Sequence, residues 1–139
     1  MSKLENKHVF VIEDNPANYA IIATLLQMYG AKTGFERWGT TTIGRLRKFA
    51  PVDLILLDLM FPYGVSGFDI FDEIRACPEF AQVPIVAVSA MDAAVAIPKV
   101  RAKGFSGFIA KPISFTAFPD QISKVLNNEA VWQYEPSSI

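Results

Sequence analysis

The stretch Val52-Asp53-Leu54-Ile55-Leu56-Leu57-Asp58-Leu59-Met60 decides the fold. Leu54 to Leu57 is an unbroken apolar run with no alternation, which suits a strand covered on both faces, as in a parallel sheet. Asp58 closes the run. A carboxylate there falls at the carboxyl edge of the sheet, where open α/β sheets place their ligands.

Outward from this strand, strand-like and helix-like stretches alternate through the whole chain. That alternation predicts an α/β doubly wound, flavodoxin-like sheet of five parallel strands in the order 2-1-3-4-5, with helices on both faces. Val9 to Ile12 is the first strand. Asn15-Pro16 then supplies a cap and a proline at the first helical position, and Gly30 stops a helix whose apolar face is Ile21, Ile22, Leu25, Leu26 and Met28. A second strand is expected from Lys32 to Arg37, interrupted by Gly34, and a second helix from Thr40 to Phe49. Ser66 caps a third helix from Gly67 to Ala76, and Pro84 introduces a fourth strand from Ile85 to Ser89. The fourth helix, within Asp92 to Lys103, contains Pro98, which removes a backbone donor and crowds the preceding turn. That helix is therefore expected to start late, bend or be loosely held. Gly107 to Ala110 is the fifth strand, and a last helix runs from about Ser114 to Leu126. Residues 1–7 read as an extension, 8–127 as the domain and 128–139 as a tail too short for a second domain.

A chain of 139 residues fits one domain with a real core, and a hydrophobic content of 51% excludes disorder. Its apolar segments are too short to cross a bilayer, and residues 1–7 leave no room for a signal peptide. Cys77 is the single cysteine, so neither an internal disulfide nor a thiolate metal site is available. Thirteen basic residues face fourteen acidic ones with no basic stripe, which argues against direct nucleic-acid binding. A cytoplasmic location is expected, without membrane contact.

The polar residues at the strand ends have ordinary readings when taken singly. Asp58 could form a turn, Glu13-Asp14 could favour a helix start, Ser89 could cap a helix and Lys111 could be a solvated loop lysine. Together they fall at the carboxyl ends of strands one, three, four and five. Packed carboxylates repel, and one must protonate unless a cation neutralises them. Hard oxygen donors suit Mg²⁺, which retains waters and accepts a phosphate oxygen, while a lysine supplies a compact positive charge for a phosphoryl group.

From Val9 to Leu126 the chain resembles the receiver domain of two-component response regulators. The resemblance is carried by Glu13-Asp14-Asn15-Pro16, Asp58-Leu59-Met60-Phe61-Pro62, Ser89-Ala90 and Lys111-Pro112 in that order, with Gly67 opening the third helix and Gly104-Phe105-Ser106-Gly107-Phe108 preceding the lysine. It implies that Asp58 accepts a phosphoryl group from a histidine of a sensor kinase or histidine phosphotransfer protein. It further implies that Glu13, Asp14, Asp58 and the main-chain carbonyl of Met60 hold Mg²⁺, and that Lys111 pairs with the phosphoryl oxygens. Ser89 and Phe108 match the family's switch residues. On this reading the chain is a stand-alone regulator without an output domain. It would turn over no external substrate and would signal through a downstream effector protein, with the face of helix 4, strand 5 and helix 5 open to homodimer formation. The competing reading is a receiver-like interaction module that works without phosphorylation. An Asp-nucleophile phosphatase is disfavoured because Met60 stands where a second Asp is typical, and no G-x-G-x-x-G follows the first strand to bind a dinucleotide. Departures from the family pattern are a Leu59-to-Ser66 segment one residue longer than usual, a Phe108 without a hydroxyl, methionines at the variable positions 60 and 91, and Pro98. Trp38 reads as a partly exposed structural aromatic.

Overall fold

A computed structural model describes residues 3–133. Its strands are β1 (His8–Ile12), β2 (Lys32–Glu36), β3 (Leu54–Leu57), β4 (Ile85–Ser89), β5 (Gly107–Ala110) and β6 (Val131–Trp132). The α-helices are α1 (Pro16–Met28), α2 (Thr42–Phe49), α3 (Gly67–Arg75), α4 (Ala93–Lys103) and α5 (Phe118–Leu126). Every strand pairing is parallel, in the order β2-β1-β3-β4-β5-β6. The doubly wound, flavodoxin-like architecture is the one the alternation predicts.

Successive strand residues point to opposite faces, so each central strand feeds two cores. Phe10, Ile12, Ile55, Leu57, Ile85, Ala87 and Phe108 pack on one side with Leu46 of α2, Ile70, Phe71 and Ile74 of α3, and Ala96, Ile97 and Val100 of α4. On the other side Val9, Val11, Leu54, Leu56, Val86, Val88 and Ile109 pack with Ile22, Leu25 and Leu26 of α1 and Phe118, Ile122 and Val125 of α5. Leu4 is fully buried in this second core, and its N–H donates to the Tyr29 carbonyl at 2.8 Å. The order of winding across the sheet reverses between β1 and β3: the connection after β1 leads outward to β2, and the next crosses back to β3. That reversal is where this class of sheet opens a crevice at its carboxyl edge.

Four local expectations are corrected. The sheet has six strands rather than five, because Val131–Trp132 adds to the outer edge of β5; two residues are too few to show a period of two. α4 is one unbroken helix that starts at Ala93, directly after Asp92, whose carboxylate accepts from the Ala94 N–H at 3.2 Å. Pro98 is exposed, so the bond it forfeits leaves the Ala94 carbonyl on the wet side of the helix. α5 begins at Phe118, after a turn in which the Ser114 hydroxyl accepts from the Ala117 N–H at 3.0 Å, and Pro119 then lies in its first turn. α2 begins at Thr42 because residues 37–41 are drawn into a loop around a buried carboxylate.

That carboxylate is Glu36, the last residue of β2 and 1% exposed. It accepts from the Trp38 N–H at 2.9 Å, the Gly39 N–H at 3.0 Å and the Thr41 hydroxyl at 2.7 Å. Burial alone would raise its pKa, but these bonds outweigh burial and hold it below the ordinary value of 4.5. A depressed folded pKa means that the stabilisation is complete above the unfolded value and is lost as pH falls through the folded one. Glu36→Gln, which turns an acceptor into a donor facing donors, is expected to lower the unfolding free energy by about 2 kcal/mol at pH 7. The gap from wild type should narrow as pH drops below about 4.5. Urea unfolding across that range measures both, and a gap independent of pH would contradict the assignment.

Candidate functional site

The crevice is lined by residues that the strand ends deliver. Glu13 follows β1, Asp58 follows β3, Ser89 ends β4 and Lys111 follows β5. Carboxylate oxygens of Glu13, Asp14 and Asp58 come within 4.8 Å of one another. The three differ in exposure: Glu13 is 2% and Asp58 6% exposed, while Asp14 is half-buried. The Lys111 ammonium reaches into the cluster, donating to Glu13 Oε1 and, at 3.0 Å, to Asp58 Oδ2.

Backbone geometry holds the acids in place. Asp58 Oδ1 accepts from the Leu59 N–H at 2.7 Å and the Met60 N–H at 3.3 Å, which leaves Oδ2 turned to the lysine. Glu13 Oε2 accepts from the Asn15 N–H at 3.0 Å, and the Asn15 side chain in turn caps α1 by accepting from Ala17 and Asn18. The Asp14 carbonyl accepts from Arg37 Nε at 2.9 Å, tying the β1 and β2 ends together. Gly67 has a steric role: a Cβ there would lie 2.2 Å from the Asp58 carbonyl oxygen and 2.6 Å from Leu59 Cα. Only glycine lets the start of α3 seat against the strand that carries Asp58.

Charge is unevenly distributed, with three carboxylates facing one ammonium. Burial pushes the Glu13 carboxyl above its ordinary value of 4.5, and the Asp58 charge adds to that, despite the opposing Lys111 ammonium and Asn15 N–H. Burial would by itself lower the Lys111 ammonium, but Asp58 and Glu13 outweigh it and hold the lysine above its ordinary 10.5. A cluster of hard oxygens with surplus negative charge, in which backbone N–H groups and a lysine fix Glu13 and Asp58, is chemically suited to a divalent cation and an anionic ligand together.

The remaining sequence candidates lie around this cluster. The Ser89 hydroxyl is fully buried and accepts from the Met91 N–H at 3.2 Å. Met60 forms an antiparallel bridge with Ser66 and is 53% exposed, whereas Met91 is half-buried against the core that includes α3 and α4 residues. Phe108 is wholly buried in that core. In the 59–66 segment Tyr63 and Gly64 turn the chain at φ +61° and +75°, and the Tyr63 and Trp38 ring centroids lie 6.4 Å apart. Glu36 and Arg37 escaped the sequence reading, although a charged residue at the end of a strand was the available signal.

Replacing Lys111 with alanine would leave Glu13 and Asp58 facing each other without a cation. With the fold retained, this is expected to cost about 3 kcal/mol in metal-free protein. Denaturant unfolding of the two chains in chelator measures it, and equal stabilities would mean that water already screens the pair.

Comparison with known proteins agrees with this geometry. The family model described as the response regulator receiver domain matches residues 9–123. The polar-differentiation response regulator DivK of Brucella ovis is 30% identical over 122 residues, covering 88% of this chain and 98% of that one. A response regulator from Desulfuromonas acetoxidans superposes with a TM-score of 0.78 at 20% identity, over 88% of this chain and 98% of the other. The receiver domain of a sensor histidine kinase from Pseudomonas aeruginosa, with a magnesium ion coordinated in its active site cleft, superposes with a TM-score of 0.75 at 24% identity, over 89% and 99% of the two chains. The two solved structures share the fold, while the family model and the DivK relative span most of the sequence. The chain belongs to the response regulator receiver domain family.

Proposed function

We propose that this chain is a phospho-accepting response regulator that takes a phosphoryl group from a phosphohistidine onto Asp58 and signals through protein partners. The observation that carries this reading is the convergence of Glu13, Asp14, Asp58 and Lys111 at one crevice. The same residues fit Mg²⁺: three carboxylates within 4.8 Å, with no His or Cys in the group among the described residues, form a hard-oxygen set, to which the Met60 carbonyl would add a fourth donor. When bound, the ion neutralises the carboxylates and the phosphoryl oxygens.

In the transfer, an Asp58 carboxylate oxygen attacks phosphorus; an O–P bond forms as the N–P bond of the donor breaks, and the histidine nitrogen keeps the electron pair. Backbone N–H groups of Leu59 and Met60 orient the carboxylate. Lys111, already held between Glu13 and Asp58, turns its ammonium to a phosphoryl oxygen, and the Ser89 hydroxyl donates to another. Positioning and charge neutralisation therefore do most of the work. Ser89 and Phe108 would then report the change to the rest of the domain.

The donor needs a surface beside Lys111, and a shallow apolar groove supplies one. It runs between α1 and the loop after β5, where Ile21, Met28 and Phe115 are 41%, 47% and 53% exposed. A groove of this kind suits the apolar face of a donor helix.

Intact-mass measurement after incubation with Mg²⁺ and a small phosphodonor is expected to show one added phosphoryl group. Chelator and Asp58→Asn should each abolish it. Persistent labelling of Asp58→Asn would refute the site, and an unlabelled wild type would favour a module that works without phosphorylation. Phe115→Ala is expected to slow transfer from a phosphorylated histidine phosphotransfer protein about tenfold, the equivalent of losing one apolar anchor. Its labelling by the small phosphodonor should stay unchanged; equal slowing with both donors would place Phe115 in the chemistry rather than in docking.

A further inference from the structure

Outside the crevice, the feature that the proposed function does not absorb is β6. The chain leaves α5 through a tight turn with Asn128 at φ +65°, held by Asn128 N–H to the Val125 carbonyl at 3.0 Å and Glu129 N–H to the Lys124 carbonyl at 2.9 Å. It then runs parallel to β5, pairing Val131 with Gly107 and Trp132 with Phe108. The Val131 N–H donates to the Ser106 carbonyl at 3.3 Å and the Gln133 N–H to the Phe108 carbonyl at 2.9 Å. Side chains flank the segment on both sides: the Arg101 guanidinium of α4 lies 5.0 Å over the Trp132 ring, and Gln121 Nε2 of α5 donates to Gln133 Oε1 at 3.1 Å.

Two properties of this seat point beyond a structural strand. The first is Gly107. A Cβ there would fall 2.5 Å from the Val131 carbonyl oxygen, so β5 carries a glycine at the point where another backbone must approach closely. The second is how lightly the seat is filled. β6 is two residues long, and Val131, Trp132 and Gln133 all remain half-exposed, whereas β3, β4 and β5 are buried throughout. A short edge strand with half-exposed side chains sits at the low end of local stability.

We propose that the outer edge of β5 is a docking site for an extended segment of a partner protein, an apolar residue followed by an aromatic one and a polar one, and that residues 131–133 fill it in cis as a displaceable stand-in. The seated segment defines what the site recognises. Ser106 and Phe108 carbonyls receive backbone N–H groups, Gly107 admits the backbone, Arg101 faces a ring and the Gln121 amide faces a polar side chain. Strand addition of this kind takes its affinity from main-chain bonds and its specificity from the flanking side chains. The short link from α5 keeps β6 at a high effective concentration, of the order of millimolar, so a partner segment binds well only when β6 is loosened or outcompeted. This inference does not depend on phosphorylation of Asp58.

The test uses the full chain and a synthetic peptide of sequence Glu-Ala-Val-Trp-Gln, followed by backbone amide NMR. Trp132→Ala and Arg101→Gln each weaken the cis segment by a different contact. Trp132→Ala is expected to bind the peptide about tenfold more tightly than wild type, with shifts centred on Gly107, Phe108 and Ile109. Arg101→Gln should release the Gln133 amide to faster hydrogen exchange. Gly107→Ala, with the amides of β1, β3 and β4 checked for unchanged dispersion, should bind no peptide. Peptide affinity in Trp132→Ala no greater than in wild type, or binding retained in Gly107→Ala, would overturn the proposal.

Discussion

Coverage of the central strands on both faces is the constraint from which the rest of the molecule follows. β3, β4 and β5 are buried at every position, so a polar side chain within them would lose its water without gaining a partner. Polar chemistry is therefore pushed to the strand ends. At the carboxyl edge the chain places Glu13, Asp58, Ser89 and Lys111 on four neighbouring strands, and the register between strands sets their spacing. The scaffold is rigid where it needs to be, because each of these residues directly follows or ends a strand whose side chains are locked into one of two cores.

Within the crevice, a single ammonium holds apart and partly neutralises acids that would otherwise repel. Lys111 touches both buried carboxylates, and Asp14 stands at the more solvated rim. The cluster keeps an excess of negative charge that a dication would relieve, and the lysine is already placed to exchange a carboxylate for another anionic oxygen. Stability and chemistry draw on the same contacts here, as is common where titratable groups are crowded by burial.

Most of this was legible in the residues, for identifiable reasons. Apolar runs at Leu54–Leu57 and Ile85–Val88 marked covered strands, with Asp58 and Ser89 directly at their ends, and Glu13 and Lys111 stood likewise after the first and fifth strands. Asn15-Pro16 and Ser66-Gly67 announced helix starts, and both side chains do cap. Elements went unread where tertiary contacts outrank local pattern. Residues 40 and 41 looked helical but are bent around the Glu36 carboxylate, a partner that no local pattern reveals. Pro98 looked disruptive, yet its exposed position confines the damage to one carbonyl. β6 was invisible because its two residues gain their structure from Gly107, more than twenty positions upstream along the chain.

The contact between Gly67 and the Asp58 backbone has a further consequence for the segment between them. The Met60–Ser66 bridge and the bond from the Gly67 N–H to the Leu59 carbonyl, 3.1 Å, clasp both ends of that segment at its base. What lies between them is a closed loop mounted on a fixed clasp. Adding a residue to such a loop changes its closure entropy only slightly, and the clasp keeps the change from reaching Asp58. The rim of the crevice can thus take another length, here carrying Tyr63 towards Trp38, while the Asp58 carboxylate stays where it is. In this chain the two are separable parts: an adaptable lip on a fixed socket.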